Sequence, residues 1–391
     1  MVLPLLPEIF YNKHNGLLIG WSAHEFYYGL VIFLAGFGTF LGMPIMGAIA
    51  DNIGEKKTLL IGISLLCFSS LIAIISLRYN LLILFLMSRL IYSFAAGNYS
   101  VVNSLTVKLN SNVERSLVFR FPILAFLLGL TLGPVIGGYI IYWLNSFIYP
   151  FILLFLLGLF NFVMILAVLK IKGTNNKRHH QGNKVAILNK FKSIFYIFTK
   201  KNILMVVVVF VIISCAQGIY TQSIAIVLSQ SLHYDVKMIS NFFTTMAAAT
   251  MISVLYIQLK VNNIFKTIYQ RILLSLAILS FMFLILTFFI YVKLILWAVF
   301  IIIFIVSSIL TTNYYALISL KTVNNEQGRI FGGIGQVQYI GYMFGGVVIG
   351  VSDHISTSFL TLIPLALFCL AFLCVLIITL YTSEMTTGGN T

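Results

Sequence analysis

The stretch GAIADNIGEKK, residues Gly47–Lys57, decides the fold of this chain, because it joins two long apolar runs through a short charged segment. Gly54 permits a sharp backbone turn, and Gly47 permits close contact with a neighbouring helix. Asp51 stands where a helix leaves the bilayer, so it can accept hydrogen bonds from a neighbouring helix N-terminus. The stretch therefore predicts a tight polar turn between two membrane helices, with its lysines on the cytoplasmic side.

The composition of the chain excludes a soluble protein. The 391 residues are 60% hydrophobic and 8% charged, with a mean hydropathy of +1.05, whereas soluble domains carry roughly 25% charged residues. Continuous apolar runs, such as Ile203–Ile213 and Leu294–Ile305, favour helices over the alternating strands of a barrel. The sequence therefore predicts an all-α integral membrane protein.

Twelve apolar spans are predicted, six on each side of one basic linker. The first, Met1–Phe10, covers about half of the hydrocarbon core, so we expect a half-length first helix or a start that lies before Met1. The other spans are Phe26–Ala50, Thr58–Leu77, Leu81–Leu105, Leu117–Leu144, Ile148–Leu169, Ile203–Leu228, Met238–Leu259, Arg271–Val292, Leu294–Leu320, Ile330–Val351 and Phe359–Tyr381. The predicted units are an N-terminal six-helix bundle (1–170), a cytoplasmic basic linker (171–201) and a C-terminal six-helix bundle (202–391).

The distribution of positive charge predicts the orientation in the membrane. Of the 24 Lys and Arg residues, 19 fall on the side that holds the linker, four fall on the opposite side, and Arg89 lies inside a span. This asymmetry places both termini in the cytoplasm, and it explains the net charge of +15 without a nucleic-acid partner. The four cysteines lie inside apolar runs without CxxC spacing, so we expect core residues and no metal site.

The Gly47–Lys57 stretch resembles the loop 2–3 signature of the major facilitator superfamily, G-x-L-A-D-R-x-G-R-K. Gly47, Asp51, Gly54 and Lys56 match that signature. Two of its basic positions hold other residues here: Asn52 and Glu55. The resemblance implies two six-helix bundles related by pseudo-twofold symmetry, with a first helix that is truncated at its N-terminus. It also implies a cytoplasmic gate, in which Asp51 meets the start of span 11 near Arg329 and Gly332 in the outward-facing state.

Span 5 carries a second motif, which is similar to the G-x-x-x-G-P-x-x-G-G of proton-coupled antiporters. Its residues are Gly129, Gly133, Pro134, Gly137 and Gly138. Together with the MVLPLLPEIF start and the Ser88-Arg89-Leu90 region, this motif makes the chain look most like the twelve-span drug:proton antiporters, the group that contains tetracycline efflux proteins. The resemblance implies proton-coupled efflux and drug resistance.

The family architecture also implies which spans pack together. Span 5 would pack against span 8, which supplies Ala247, Ala248 and Ala249, and span 2 against span 11 through glycines on both helices. These smooth faces favour either ordinary tight packing or surfaces that slide during alternating access.

Proton coupling has three candidate residues. Arg89 is the only basic residue deep in a span, where a charge is costly and usually faces a polar cavity. Glu8 and Glu25 are the nearest acids, both toward the non-cytoplasmic end. The alternatives are a structural or snorkelling role for Arg89 and solvated loop-end positions for the two acids.

Polar residues of the spans that face the centre in this superfamily are the candidates for a substrate cavity. Their aromatic and amide groups suit a neutral or amphipathic organic substrate, although helix–helix hydrogen bonding is an equal alternative. They are Asn98, Tyr99, Asn103, Gln217, Tyr220, Gln222, Asn313, Tyr314, Gln336, Gln338, Tyr339 and Tyr342.

No catalytic motif and no Walker A sequence occurs in the chain, so neither an enzyme nor an ATP-driven pump is expected, and no cofactor. The main hypothesis is a monomeric secondary transporter of a bacterial inner membrane, whose partners are the lipid bilayer, protons and a small organic substrate. Two alternatives stay open: a proton symporter or facilitator for a nutrient or metabolite, and a non-transporting receptor or remnant.

Overall fold

The computed structural model describes residues 5–11, 17, 24–109, 120–169, 198, 201–320, 327–351 and 357–387. The predicted linker, 171–201, lies outside these ranges apart from residues 198 and 201. Within the described ranges the secondary structure is helical, and no strand occurs there. The predicted all-α fold is therefore confirmed.

The helices follow the order of the predicted spans. They are α1 Leu6–Tyr11, α2 His24–Ile53, α3 Glu55–Arg78, α4 Leu82–Ala95, α5 Asn98–Leu109, α6 Arg120–Leu144, α7 Ile148–Val168, α8 Lys201–Ile226, α9 Val236–Ile252, α10 Gln258–Ile264, α11 Ile268–Phe289, α12 Lys293–Leu320, α13 Gln327–Val351 and α14 Thr357–Thr387. We refer to α1–α7 as the N-terminal helices and to α8–α14 as the C-terminal helices. Ten helical stretches of the described ranges are long and apolar enough to cross a membrane.

Three of the predicted spans depart from a regular α-helix. Span 7 ends in a π-helical segment, Val227–Ser231, directly after α8. Span 4 is divided at Ala96–Gly97 into α4 and α5, and Gly97 lies so close to the backbone of Gly42 on α2 that a side chain would overlap it. Span 8 contains a π-helical segment, Ser253–Ile257, between α9 and α10. The stretches that contain spans 4 and 8 still read as single apolar spans, with mean hydropathies of 1.3 and 1.5, so hydropathy alone does not locate the break or the π-helical segment.

Buried apolar residues form one large cluster in the C-terminal helices, which extends from Ile203 to Val375. A second cluster joins α1, α2 and α4, and it includes Ile226 and Ile349 from the C-terminal helices. Because α2 begins and α13 ends at this second cluster, we call this the far end of the molecule. The Gly54 end is the opposite one, where α2 meets α3.

Candidate transport pathway and its helix seams

The turn at Gly54 has the geometry that the sequence predicts. Gly54 separates the last residue of α2 from the first residue of α3, and its φ of 89° falls in a region that side chains rarely adopt. Asp51 is exposed at this end. Gly47 does not make the expected close contact, since a Cβ there would meet only Ser100 Oγ at 3.9 Å. The close approach lies instead at Gly42, against the backbone of α4.

Lys56 binds the end of another helix in the structure. Its Nζ donates hydrogen bonds to the carbonyl oxygens of Leu169 at 2.7 Å and Leu166 at 3.2 Å. These carbonyls close α7, whose C-terminal end favours a positive charge. Lys56 therefore ties α3 to α7. The predicted contact of Asp51 with span 11 involves side chains outside the described part of the chain, so it stays a prediction.

Arg271 has a comparable position in the second half of the chain, and sequence reasoning missed it. At the start of α11, its guanidinium donates to the carbonyl oxygens of Phe265 (2.6 Å), Lys266 (3.2 Å) and Asn262 (3.3 Å). It also reaches Asn313 Oδ1 on α12 at 3.5 Å. The signal in the sequence is positional, since Lys56 and Arg271 both stand early in the helix that follows the equivalent loop.

The seam between α2 and α13 brings backbone against backbone. The two helices are antiparallel, and a Cβ at Gly346 would lie 2.6 Å from Phe33 N and 2.8 Å from Gly29 O. Nearer the Gly54 end, a Cβ at Gly36 would lie 2.7 Å from Met343 Cγ. Small residues allow this approach. The packing of span 2 against span 11 is therefore present over several helical turns.

The seam between α6 and α9 is tight at the far end. The Cα of Gly138 lies so close to Ser240 that a Cβ there would overlap the serine side chain. Lys237 Nζ lies 5.3 Å from the ring centroid of Tyr139 and 4.7 Å from that of Tyr142, within the range of cation–π attraction. These contacts join the N-terminal and C-terminal helices at one end of this seam.

Gly129 lies nine residues before Gly138, which places it on the opposite face of α6. A Cβ at Gly129 would meet no atom within 4 Å, although Gly129 belongs to the glycine motif that we expected to pack against Ala247, Ala248 and Ala249. The helix contains Pro134 between the two glycines, and a proline in a helix interior introduces a bend. The close contact of this motif therefore lies at Gly138.

Aromatic and amide side chains of α12 and α13 lie together near the boundary with the N-terminal helices. Tyr315 on α12 donates a hydrogen bond to Gln338 Oε1 on α13 at 2.8 Å. It lies within electrostatic reach of Tyr99 on α5 and of Tyr339 and Tyr342 on α13. The rings of Tyr339 and Tyr342 are 5.7 Å apart. We call these five residues the boundary cluster.

Tyr315 was missed by the sequence analysis, which selected its neighbour Tyr314. The structure places Tyr314 in the core of the C-terminal helices, where its ring stacks on Phe210 at 5.4 Å and is 1% exposed. Tyr220 is likewise internal, with its hydroxyl 2.9 Å from Ser307 Oγ. Asn313 donates to Ile309 O and lies beside Arg271. These three residues make the described contacts within the C-terminal helices, and they do not belong to the boundary cluster.

Arg89 is enclosed by aromatic rings of the N-terminal helices. Its guanidinium carbon lies 4.8 Å from the ring centroid of Phe151, 5.2 Å from that of Phe85 and 5.3 Å from that of Tyr92. Nε donates to Ser88 Oγ at 3.3 Å. The residue is only 4% exposed, and its buried Nη2 has no hydrogen-bond partner.

Comparison with known proteins agrees with this arrangement of helices. The sequence profile of the Major Facilitator Superfamily matches residues 1–346. The chain belongs to the major facilitator superfamily. Proteins of this family and fold are generally not enzymes.

Solved structures of the superfamily have the same fold along nearly the whole chain. The human organic anion transporter MFSD10 (TETRAN) is 16% identical, with a TM-score of 0.72 over 96% of this chain and 94% of that one. A D-xylose-proton symporter is 14% identical, with a TM-score of 0.72 over 96% and 91%. The nucleoside transporter NupG is 11% identical, with a TM-score of 0.67 over 96% and 94%. Identities this low show the fold alone.

A curated relative has a shorter match. "Major facilitator superfamily domain-containing protein 10" of Bos taurus is 28% identical over 129 residues, which are 33% of this chain. The aligned part spans only 26% of the length of that relative.

Three other amide candidates for the substrate cavity donate hydrogen bonds to backbone carbonyls or to a side chain of another helix. Gln336 Nε2 donates to Phe40 O on α2 at 3.4 Å, and Gln217 Nε2 donates to Thr311 Oγ1 at 3.2 Å. Asn98 Nδ2 donates to Leu59 O at 3.1 Å. Asn103 is half-buried on α5. Of these four, Gln336 makes a bond across the boundary between the N-terminal and C-terminal helices.

The acidic candidates lie at the far end. Glu25 is in the first turn of α2 and lies within electrostatic reach of Tyr11. Glu8 is half-buried on α1. Beside them, the hydroxyl of Tyr28 donates to the carbonyl oxygen of Gln222 on α8 at 3.2 Å, and the Gln222 Oε1 atom is buried without a partner.

Proposed function

We propose that this protein is a secondary active transporter that exports a small amphipathic organic compound in exchange for protons, by alternating access. The observation that carries the proposal is the boundary cluster, in which aromatic and amide groups of α12 and α13 lie within electrostatic reach of Tyr99 on α5. Alternating access requires a binding site between two bundles that contact each other at one end and separate at the other. At the far end, the contacts of Gly138 and Tyr28 join the two groups of helices.

The boundary cluster supports a substrate with both apolar and polar parts. Its tyrosine rings offer flat apolar surfaces, and its hydroxyl groups and the Gln338 amide offer hydrogen bonds. Binding sites for small molecules combine mostly apolar walls with a few polar groups in this way. Tyr99 on α5, which is 38% exposed, adds a ring from the N-terminal helices.

The proposal includes an orientation. The charge asymmetry favours an orientation with both termini and the Gly54 turn in the cytoplasm, and the proposed membrane is the inner membrane of a bacterium. In that orientation the closed far end faces outward, and the boundary cluster would receive substrate from the cytoplasm. Arg89, Glu8 and Glu25 are the candidates for proton coupling, and the monomer is the proposed working unit.

One alternative has an observation in its favour. A D-xylose-proton symporter is among the solved structures that share the fold, so import of a nutrient with protons uses the same architecture. Symport and antiport differ in the direction of the proton relative to the substrate.

The experiment is transport by the purified full-length chain in proteoliposomes that contain a pH-sensitive dye. A panel of amphipathic compounds is added at equal internal and external pH, and the internal pH is followed as each compound moves down its own gradient. Antiport predicts proton movement opposite to the compound. Movement in the same direction would establish the symporter, and no compound-dependent proton movement would contradict both.

Tyr315→Phe and Tyr314→Phe form a matched pair for this assay. Each change removes one hydroxyl, but only Tyr315 contacts Gln338 at the boundary. We expect Tyr315→Phe to raise the KM severalfold, because a neutral hydrogen bond contributes roughly 1 kcal/mol. Tyr314→Phe should leave the KM unchanged, and equal effects of the two changes would contradict a substrate site at the cluster.

A further inference from the structure

The buried guanidinium of Arg89 is surrounded by aromatic rings, but its N–H donors are only partly used. The rings of Phe85, Tyr92 and Phe151 lie around its central carbon at 4.8–5.3 Å. At its edge, Nε donates to Ser88 Oγ, whereas Nη2 is buried and donates to no described atom. The aromatic rings therefore stabilise the charge of Arg89 without using its Nη2 donors.

Such an arrangement is costly unless a further group binds there. A buried charge requires both a counter-charge and hydrogen bonds, and cation–π contacts supply only part of that stabilisation. Every described contact of the Arg89 guanidinium is with a neutral group. The free donors of an arginine edge match a carboxylate, which can accept two parallel N–H···O bonds.

We propose that Arg89 binds the carboxylate of the transported compound, so that the substrate is an organic anion with an apolar body. This inference rests on the transport function proposed above and names its substrate class. An apolar aromatic surrounding favours a monovalent carboxylate on an apolar body over a strongly hydrated inorganic anion, because the latter loses more hydration on binding. Tyr99 of the boundary cluster follows Arg89 by about 15 Å along α4 and α5, so the two sites would bind the substrate at different points of its path.

Direct binding tests the inference without transport. The purified full-length protein, in a detergent and buffer without anionic lipid, is titrated with a naphthalene carboxylate and with the corresponding carboxamide, and thermal unfolding is followed. We expect the carboxylate to raise the Tm and to bind about tenfold or more tightly than the carboxamide, as a charged hydrogen bond predicts. Equal binding of the two compounds would overturn the inference, as would equal stabilisation by chloride or inorganic phosphate at the same concentration.

Two variants of Arg89 and one control locate the effect. Arg89→Gln should abolish the preference for the carboxylate, whereas Arg89→Lys keeps the charge but loses the planar fork and should retain part of it. Arg78→Gln removes a charge from the exposed end of α3 and should preserve the full preference. A preference that persists in Arg89→Gln would overturn the inference. Should that variant fail to fold, the comparison between wild type and Arg89→Lys decides.

The transport assay separates failure of the inference from failure of the proposed function. If protons exchange with neutral compounds and the carboxylate shows no advantage, the transporter proposal stands and the anion site is wrong. If the carboxylate binds through Arg89 but no compound moves protons, the anion site stands and proton-coupled export is wrong.

Discussion

The two seams that join the N-terminal and C-terminal helices are built from different atoms. Between α2 and α13, backbone lies against backbone at Gly29 and Gly346, and Gly36 faces both the side chain and the backbone of Met343. Between α6 and α9, the contacts described at the far end are mainly with side chains, those of Ser240 and Lys237.

This difference indicates separate roles in a conformational change. Backbone atoms in contact cannot move aside unless whole helices separate, whereas a serine or lysine side chain can change rotamer at small cost. The α2–α13 seam is therefore suited to stay packed and to act as a pivot. The α6–α9 seam is suited to open at the far end.

The largest effect is expected from Gly346→Leu, which places a side chain against Phe33 N and Gly29 O. Because both neighbours are backbone, the helices must separate, and we expect a loss of about 3 kcal/mol or more, with transport abolished. Thermal unfolding of the purified protein measures the change. Gly129→Leu is the matched control, and comparable destabilisation by both would contradict the assignment of α2–α13 as the tight seam.

A smaller effect is expected from Gly138→Ala at the far end of the other seam. Its Cβ would overlap Ser240 Oγ and Cβ, so we expect about 1–3 kcal/mol of strain in the closed far end. Accessibility of a cysteine introduced at Tyr142 to an impermeant maleimide measures opening, in a background without the four native cysteines. The double change with Ser240→Gly should restore the closed state, and the absence of rescue would count against this contact.

The smallest effect is expected from Lys237→Met, which removes the cation–π contacts with Tyr139 and Tyr142. Such contacts contribute roughly 0.5–1 kcal/mol, so far-end accessibility should rise about two- to fivefold. Lys293→Met is the control, because Lys293 lies 5.5 Å from the ring of Tyr234 and both residues lie in the C-terminal half of the chain, outside the α6–α9 seam. If both variants opened the far end equally, Lys237 would have no special part in this seam.

Much of the fold could be predicted from the sequence, but the orientation of individual side chains could not. The predicted spans correspond to the observed helices, and the turn at Gly54 occurs where the glycine and charge pattern placed it. The sequence analysis chose Tyr314 for the cavity, but Tyr315 is the residue that lies at the boundary. It also expected Gly129 to make a close helix contact, which Gly138 makes instead. Each error concerns the face of a helix.

The sequence by itself determined the helical membrane fold, because only long apolar helices satisfy their backbone hydrogen bonds in a bilayer. It also determined the superfamily, through Gly47, Asp51, Gly54 and Lys56. Only the tertiary structure decided which faces meet, where Lys56 binds and what surrounds Arg89. The physical reason is that these helices are apolar on all sides, so their sequences lack the polar stripe that marks an outer face in soluble proteins.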